Sequence, residues 1–310
     1  MQPNLRDFWN RCRLTPVLVI LAAFAIAMAG AAQAQDMSKV TIKATKLAEG
    51  IHMLTGQGGN LGVSSGPDGV FLIDDQFAPL TGKILAAIKA IDPKPVKFVL
   101  NTHWHFDHTG GNENLGKNGT VIVAHDNVRK LMSADQMLSA FKKKVPAAAK
   151  IALPVITFND TTTFHMNGQT LHIRHLPRGH TNGDSFVHFR EADIIHTGDL
   201  FFNGFYPFID VEHGGTISGV IDAAAEILKL AGPNTKIIPG HGPLADKAAL
   251  SAYRDMLIGV RKAVQAQVNA GTSRADAVAA APTKAFDEKW GKGFLKPVAF
   301  AGFVYDSLKK

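Results

Sequence analysis

Residues 101–112 read Asn-Thr-His-Trp-His-Phe-Asp-His-Thr-Gly-Gly-Asn, a stretch in which four potential metal ligands fall within six residues. These ligands are His103, His105, Asp107 and His108. Side chains alternate along an extended strand, so positions 103 and 105 point to the same side. The chain must then curl for positions 107 and 108 to face the same cavity, and Gly110-Gly111 is typical of a point where a helix then begins. One loop could therefore serve two neighbouring metal ions.

Three later segments share one architecture with this loop: an apolar, strand-like run leads into a tight polar turn that contains glycine. The potential ligands in these turns are His180, Asp199 and His241. Glycine lets the backbone approach a crowded centre. A chance His-x-His-x-Asp-His pattern in a chain of this length has a probability of about one in a thousand. The sequence therefore predicts a centre of seven metal ligands at the ends of strands.

Residues 1–34 have the three parts of a secretory signal. Arginines precede an apolar run from Val17 to Ala29, which is short for a membrane span, and Ala32-Gln33-Ala34 has the small-x-small pattern of a cleavage site. We therefore expect a mature chain that begins near Gln35 and is periplasmic or secreted, with no stable membrane insertion after cleavage. An uncleaved membrane anchor is the alternative.

Removal of residues 1–34 has two chemical consequences. The only cysteine, Cys12, is lost, so a metal site must use imidazole and carboxylate ligands, which favour borderline and hard cations. Three Arg and one Asp are also lost, which reduces the formal net charge from +7 to +5. This mild charge, without a basic arm or stripe, argues against a nucleic-acid partner. We expect a small-molecule substrate, and the sequence leaves the oligomeric state open.

Residues 35–310 predict a single α/β domain, because short β-branched runs alternate with helical patterns and no Pro/Ser-rich linker divides them. The apolar runs that predict strands are 51–55, 61–65, 70–73, 98–100, 171–174, 186–189, 194–195 and 237–238. Apolar residues at helical spacing predict helices over 80–91, 219–230 and 250–268. Two sheets with helices outside accommodate this order.

Three further features of residues 35–310 concern helices. We expect a helix after Asp126 to carry Met132, Met137 and the run Lys142-Lys143-Lys144, with the lysines on a solvated face. Thr272 or Ser273 is expected to cap a short helix after the long one. The apolar tail, residues 294–308, is expected to dock on the domain as its C-terminal helix.

The ligands and their spacing resemble the metallo-β-lactamase superfamily, and the resemblance covers nearly all of residues 35–310. It implies a four-layer αβ/βα sandwich, in which two mixed β-sheets carry helices on their outer faces and the metals lie at one edge. It also implies that one metal is held by His103, His105 and His180, a second by Asp107, His108 and His241, and both by Asp199. A bridging carboxylate is similar to the glyoxalase II-type, dinuclear branch, whereas lactamases with Cys at this position are not matched.

Two divalent cations about 3.5–4 Å apart can share a water, lower its pKa and present a bridging hydroxide to a carbonyl carbon. We therefore expect a hydrolase of esters, thioesters, lactones or β-lactams with two Zn²⁺ per chain, and Fe or Mn as alternatives. Asp107 is expected to be catalytic, because it is placed to orient the hydroxide or collect its proton. Two other functions remain open: an iron enzyme of the same fold that oxidises sulfur compounds, and a metal-binding protein without catalysis.

Three residues outside the ligand set are candidates for the surroundings of the site. Asp74, at the end of strand 70–73, is expected to fix an imidazole from outside, with an exposed turn carboxylate as the alternative. Phe202 and Tyr206 belong to the aromatic segment after Asp199, which predicts either a pocket wall or core. Because the Cys-type lactamases use Lys where this chain has Phe202, we expect weak β-lactamase activity at most.

Overall fold

Most strands of the protein coincide with the apolar runs that predict them. The computed structural model describes residues 36–309, so the expected signal segment lies outside the described residues. The strands are β1 (Lys43–Ala48), β2 (Ile51–Thr55), β3 (Leu61–Ser64), β4 (Val70–Ile73), β5 (Val96–Asn101), β6 (Val121–His125), β7 (Gln136–Leu138), β8 (Lys143–Val145), β9 (Ile156–Phe158), β10 (Thr161–Met166), β11 (Gln169–His175), β12 (Ser185–Phe189), β13 (Ile194–His196) and β14 (Lys236–Ile238). The helices are α1 (Thr81–Ile91), α2 (Phe106–Thr109), α3 (Asn112–Lys117), α4 (Asp126–Met132), α5 (Ile217–Leu230), α6 (Lys247–Asn269), α7 (Arg274–Ala279), α8 (Asp287–Trp290) and α9 (Pro297–Lys309).

The strands form two mixed sheets and one separate hairpin. The first sheet has the order β1-β2-β3-β4-β5-β6-β9, with antiparallel pairs from β1 to β4 and parallel pairs from β4 to β9. The second has the order β10-β11-β12-β13-β14 and is antiparallel except for β13 and β14. The hairpin consists of β7 and β8. The parallel strands of both sheets bring their carboxyl ends to common edges.

The two sheets pack against each other, and helices cover their outer faces. In β4, Phe71 joins the apolar cluster that also contains Leu171 of β11. Its neighbour Leu72 points to the opposite face and joins Ile84 of α1. Helices α5, α6 and α9 pack on the outer face of the second sheet. The predicted four-layer αβ/βα sandwich is therefore confirmed.

The predicted helices are present, with ends set by capping side chains that the apolar pattern does not reveal. The Thr216 hydroxyl accepts a hydrogen bond from the Gly219 backbone N–H at the start of α5. The Asp246 carboxylate accepts one from the Ala249 backbone N–H at the start of α6. Both helices therefore begin earlier than expected. Ser273, not Thr272, caps α7. The expected C-terminal helix docks, with Phe300 of α9 fully buried.

The expected helix after Asp126 is wrong beyond Met132, where α4 ends. Met137 and the three lysines lie instead in and around the β7–β8 hairpin, whose turn is made by Lys142 in the left-handed conformation (φ 50°). Nor are all three lysines simply solvated, because Lys143 Nζ lies 3.2 Å from the centroid of the Phe106 ring. The Lys-rich pattern favours a helix, but packing of the buried Leu138 determines the local structure.

The described residues from Met37 onward cluster as one compact unit. Within residues 36–309, no helix combines the length and apolar content needed to cross a membrane.

Candidate metal centre

The seven predicted ligands lie together at the edge of the sandwich where several strands end. His103, His105, Asp107 and His108 follow β5, and the other three follow β11, β13 and β14. Their side-chain donor atoms form two groups within which all donors are less than 4.8 Å apart. Asp199 belongs to the first group and also contacts the second. The structure thus brings all seven residues to one place.

The first group has the spacing of a tetrahedral metal site. His105 Nδ1 lies 3.1 Å from His103 Nε2 and 2.8 Å from His180 Nε2. Asp199 Oδ2 lies 3.6 Å and 3.3 Å from the same two Nε2 atoms. Donors about 2.0–2.1 Å from a tetrahedral zinc ion are about 3.3 Å apart. The four buried donors therefore fit a divalent cation between them.

The second group has similar spacing. His241 Nε2 lies 3.3 Å from His108 Nε2 and 3.3 Å from Asp107 Oδ2. Asp199 Oδ1 lies 3.1 Å from His108 Nε2 and 3.4 Å from His241 Nε2. Although it is buried, Asp199 Oδ1 accepts no hydrogen bond with acceptable geometry. A buried carboxylate oxygen needs a partner, and a cation between these four donors would supply one.

The outer nitrogens of three imidazoles are held by hydrogen bonds, which leaves the inner nitrogens free to bind a metal. His105 Nε2 donates to Asp210 Oδ2 over 2.9 Å. His180 Nδ1 donates to the Phe208 carbonyl over 2.8 Å. His108 Nδ1 donates to Asp74 Oδ2 over 2.7 Å. Each ring therefore has a fixed orientation, with its inner nitrogen directed at its group.

Asp74 is completely buried, so it is not an exposed turn carboxylate, and its side chain lies within hydrogen-bond distance of the His108 ring. Its Oδ1 accepts from the Thr102 backbone over 2.7 Å, and its Oδ2 accepts from Thr102 Oγ1 over 2.8 Å. The Thr102 hydroxyl in turn lies 3.1 Å from His103 Nδ1. Through Thr102 and His108, one carboxylate therefore orients ligands in both groups.

Sequence reasoning missed two of the orienting residues, Asp210 and Thr102. Asp210 is held by His213, whose Nδ1 lies 2.8 Å from its Oδ2. Its only signal in the sequence was its position at the end of the aromatic segment 201–210. Thr102 lies inside the ligand motif, but it was not considered as a partner because the neighbouring His103 was the candidate ligand.

The two groups differ in their affinity for protons. Burial and neighbouring imidazoles lower the pKa of His103, and burial lowers the pKa of His180 to about 4. Burial also opposes protonation of His241, but the carboxylates of Asp199 and Asp107 outweigh it and raise its pKa to about 9. At neutral pH and without metal, His103 and His180 are therefore neutral, whereas His241 carries a proton that a cation must displace.

Two segments of the backbone are in contact beneath the two donor groups. The Gly240 backbone donates hydrogen bonds to the carbonyls of Gly198 and Phe201 over 2.8 Å and 3.0 Å. A β-carbon at position 240 would lie 2.1 Å from Asp199 Oδ1. Only glycine therefore allows the loops that carry Asp199 and His241 to approach this closely.

A cavity of about 420 Å³ opens above both groups, and donors from each of them line it. Phe202, the expected pocket residue, lines this cavity and stacks on His241 with a centroid distance of 5.0 Å. Tyr206 does not line it. Its ring is buried against Phe300, and its hydroxyl donates to Asp287 Oδ1 over 2.8 Å. The aromatic segment therefore divides between pocket wall and core.

The sequence profile of the metallo-beta-lactamase superfamily matches residues 56–241, more than half of the chain. The chain belongs to this superfamily. All seven donors lie within the matched residues. The superfamily fold is also found by structural comparison: a metallo-beta-lactamase from Pontibacter korlensis has a TM-score of 0.56 at 24% identity, over 70% of this chain and 99% of that one.

Curated relatives of the chain include a hydroxyacylglutathione hydrolase and an acyl-coenzyme A thioesterase. A hydroxyacylglutathione hydrolase of Pelagibacter ubique is 28% identical over 158 residues, which are 50% of this chain and 56% of the relative. The acyl-coenzyme A thioesterase MBLAC2 of Bos taurus is 24% identical over 156 residues, 45% of this chain and 54% of the relative. The chain thus spans little more than half the length of these relatives.

Proposed function

We propose that the protein is a metal-dependent hydrolase that uses two zinc ions to cleave an ester, thioester, lactone or β-lactam. The observation that carries this proposal is the pair of donor groups that share Asp199 beneath an open cavity. The names of the curated relatives, a hydroxyacylglutathione hydrolase and an acyl-coenzyme A thioesterase, support hydrolysis at a carbonyl carbon.

The residues divide the chemical work between them. Zinc ions bound here would lower the pKa of a shared water and polarise the substrate carbonyl. Asp107 has the most exposed side chain of the seven donors, at 22%, so its carboxylate faces the cavity. In this position, Asp107 orients the attacking water and accepts its proton. Asp210 and Asp74 act through His105 and His108, whose rings they hold in place.

The cavity argues for weak β-lactam hydrolysis at most. Phe202 occupies the position at which we expect a Lys in the Cys-type lactamases, where it would bind the substrate carboxylate. Among residues 36–309, those that line the cavity include no Lys or Arg. A β-lactam carboxylate would therefore lack a cationic partner from the cavity wall.

The proposal is tested by measuring bound metal and turnover on the same preparation. We expect about two zinc ions per chain and hydrolysis of at least one activated ester, thioester, lactone or β-lactam. Asp107→Ala should reduce kcat by at least about 100-fold at saturating zinc, because it removes the proton acceptor. Asp222→Ala, on the exposed face of α5, is the matched control and should retain full activity.

Two other outcomes would contradict the proposal. One iron per chain with oxidation of a sulfur compound would assign the alternative iron enzyme. Two zinc ions without turnover on any of the four substrate classes would assign a metal-binding protein. Full activity of Asp107→Ala would show that the role given to this carboxylate is wrong.

We also propose that residues 1–34 direct export and are then removed, which leaves residues 35–310 as one periplasmic or secreted domain. The basic flank, apolar run and small-x-small site support this. Mass spectrometry of the protein from the producing cell should give an N-terminus near Gln35. An intact N-terminus on cytosolic protein would contradict it.

A further inference from the structure

The walls of the cavity are built from apolar side chains, whereas its floor is formed by the proposed metal ligands. The apolar residues that line it are Phe77, Phe106, Leu138, Phe141, Phe202, Phe208 and Phe294. They come from five separate parts of the chain: the loop before α1, the ligand loop, the β7–β8 hairpin, the segment after β13 and the segment before α9. Such a concentration of aromatic rings around a polar centre indicates recognition of an apolar group.

One wall runs from the hairpin to the first group of donors. The Phe141 ring, 45% exposed at the rim, packs edge-on against Phe208 with a centroid distance of 4.9 Å. Phe208 is buried and lies 5.8 Å from the rings of both His105 and His180. An apolar chain extending from the first group would therefore contact two rings in succession.

A second wall runs from the C-terminal part of the chain to the second group. The Phe294 ring is 57% exposed and lies 6.4 Å from Phe202, which stacks on His241. Phe294 lies beyond residues 56–241, the part that matches the superfamily profile. The outer part of this wall, formed by Phe294, therefore lies outside the residues that the family pattern describes.

Exposure of the aromatic rings at the rim to water is unfavourable in free energy, and an apolar ligand that covers them would remove this exposure. Exposed aromatic side chains are ordinary when scattered, but here two of them border one cavity that is continuous with the metal ligands. Lys143 lies against the Phe106 ring and interacts electrostatically with Asp107, but its side chain is not among those that line the cavity. The walls of the cavity thus offer dispersion and apolar burial to a substrate group, and no Lys or Arg lines them.

We propose that the substrate carries an uncharged apolar acyl group, which lies between Phe141 and Phe294 while its carbonyl sits at the metal ligands. This inference rests on the proposed hydrolase function and names its substrate class: esters, thioesters or lactones with an apolar acyl part. A substrate whose acyl group ends in a carboxylate is disfavoured, because its charge would be buried among aromatic rings without a partner.

The test is a series of p-nitrophenyl esters with acyl chains from acetyl to octanoyl, together with an ester whose acyl chain has the octanoyl length and ends in a carboxylate. Each methylene group that becomes fully buried should improve kcat/KM about fourfold. Because the cavity is open on one side, we expect at least about a tenfold rise from butanoyl to octanoyl. The carboxylate ester should be hydrolysed more slowly than the octanoyl ester.

Four variants locate the effect. Phe141→Ser and Phe294→Ser should each reduce kcat/KM for the octanoyl ester by at least about fivefold and leave the acetyl ester nearly unchanged, since short chains do not reach the rim. Met137→Ser and Val298→Ser are matched controls from the same two segments. Both side chains are exposed, at 44% and 68%, and neither lines the cavity, so both variants should keep the full chain-length preference.

A binding measurement separates this inference from the hydrolase proposal. Calorimetry with zinc-loaded protein should give a tighter Kd for octanoate than for butanoate, and Phe141→Ser should remove the difference. Equal rates and equal affinities for short and long chains, or a preference for the carboxylate ester, would overturn the acyl assignment. Absence of hydrolysis with any ester, while octanoate still binds more tightly than butanoate, would overturn the hydrolase proposal alone.

Discussion

Replacing Asp74 by Asn removes one negative charge and one acceptor beside the metal ligands while leaving the backbone unstrained. Asp74 has a positive φ of 59°, a conformation that Asn tolerates well. The Asp74 carboxylate accepts three short hydrogen bonds, two from Thr102 and one from His108. An Asn side chain has one acceptor oxygen, so its amide group must face either the Thr102 backbone N–H or the His108 ring.

The expected loss of zinc affinity follows from which of these two groups the amide of the Asp74→Asn variant faces. If the amide faces His108, Nδ1 becomes the acceptor and the ring proton moves to Nε2, which then cannot bind a metal. If the amide faces Thr102, two N–H donors oppose each other and the loop that carries His103 must shift. Loss of such an orienting partner costs about 10–100-fold in metal affinity. We expect zinc binding by Asp74→Asn to weaken by this factor.

Competition with a zinc-binding dye measures the affinities of wild-type and variant protein. Asp75→Asn is the matched control, because Asp75 is equally buried but accepts only from the Gly111 backbone. Burial raises the pKa of Asp75, so an uncharged amide replaces it with little loss. Wild-type zinc affinity in a folded Asp74→Asn variant would refute the orienting role, and so would equal losses in both variants.

Three further predictions concern protons, metal removal and Tyr206. Zinc uptake at pH 7 should release at least one proton, because His241, with a pKa of about 9, is protonated in the metal-free protein at that pH. Calorimetry in two buffers with different ionisation enthalpies measures the release, which should decline as the pH rises above that value. Chelation should lower Tm by roughly 10 °C, since free zinc at 1,000 times Kd stabilises a folded protein by about 4 kcal/mol; an unchanged Tm would mean that the donors bind no metal. Tyr206→Phe should lose about 1 kcal/mol in urea unfolding, from the hydrogen bond to Asp287, and should keep kcat/KM. A fall in kcat/KM would place Tyr206 in the pocket after all.

The seven proposed ligands could be predicted from the sequence, and the structure brings their side chains together, because each depends on short-range features. His103 and His105 share one strand end, and His180, Asp199 and His241 each lie in a glycine-containing turn after an apolar run. The partners that orient them depend on long-range contacts instead. His105 and Asp210 are separated by 105 positions, and no local pattern links them.

Burial on both faces explains most of the strands that the pattern predicts, although β6, also a buried apolar run, was missed. Strands such as β4 have both faces covered, so they appear as continuous apolar runs. Strands β1 and β10 lie at sheet edges, are largely exposed and are rich in Lys or Thr, so hydrophobic periodicity gives no signal for them. The β7–β8 hairpin was missed for a different reason, since its lysines and methionine are good helix formers held in strands by packing.

The contact between Gly240 and Asp199 limits how this centre could be redesigned or could drift during evolution. The separation of the two donor groups is set where one peptide backbone rests on another, so exchange of ligand side chains alone cannot widen it. Even a methyl group at position 240 would lie 2.1 Å from Asp199 Oδ1, the oxygen that faces the second donor group. A different spacing between the two donor groups would require the strands β13 and β14 themselves to move apart.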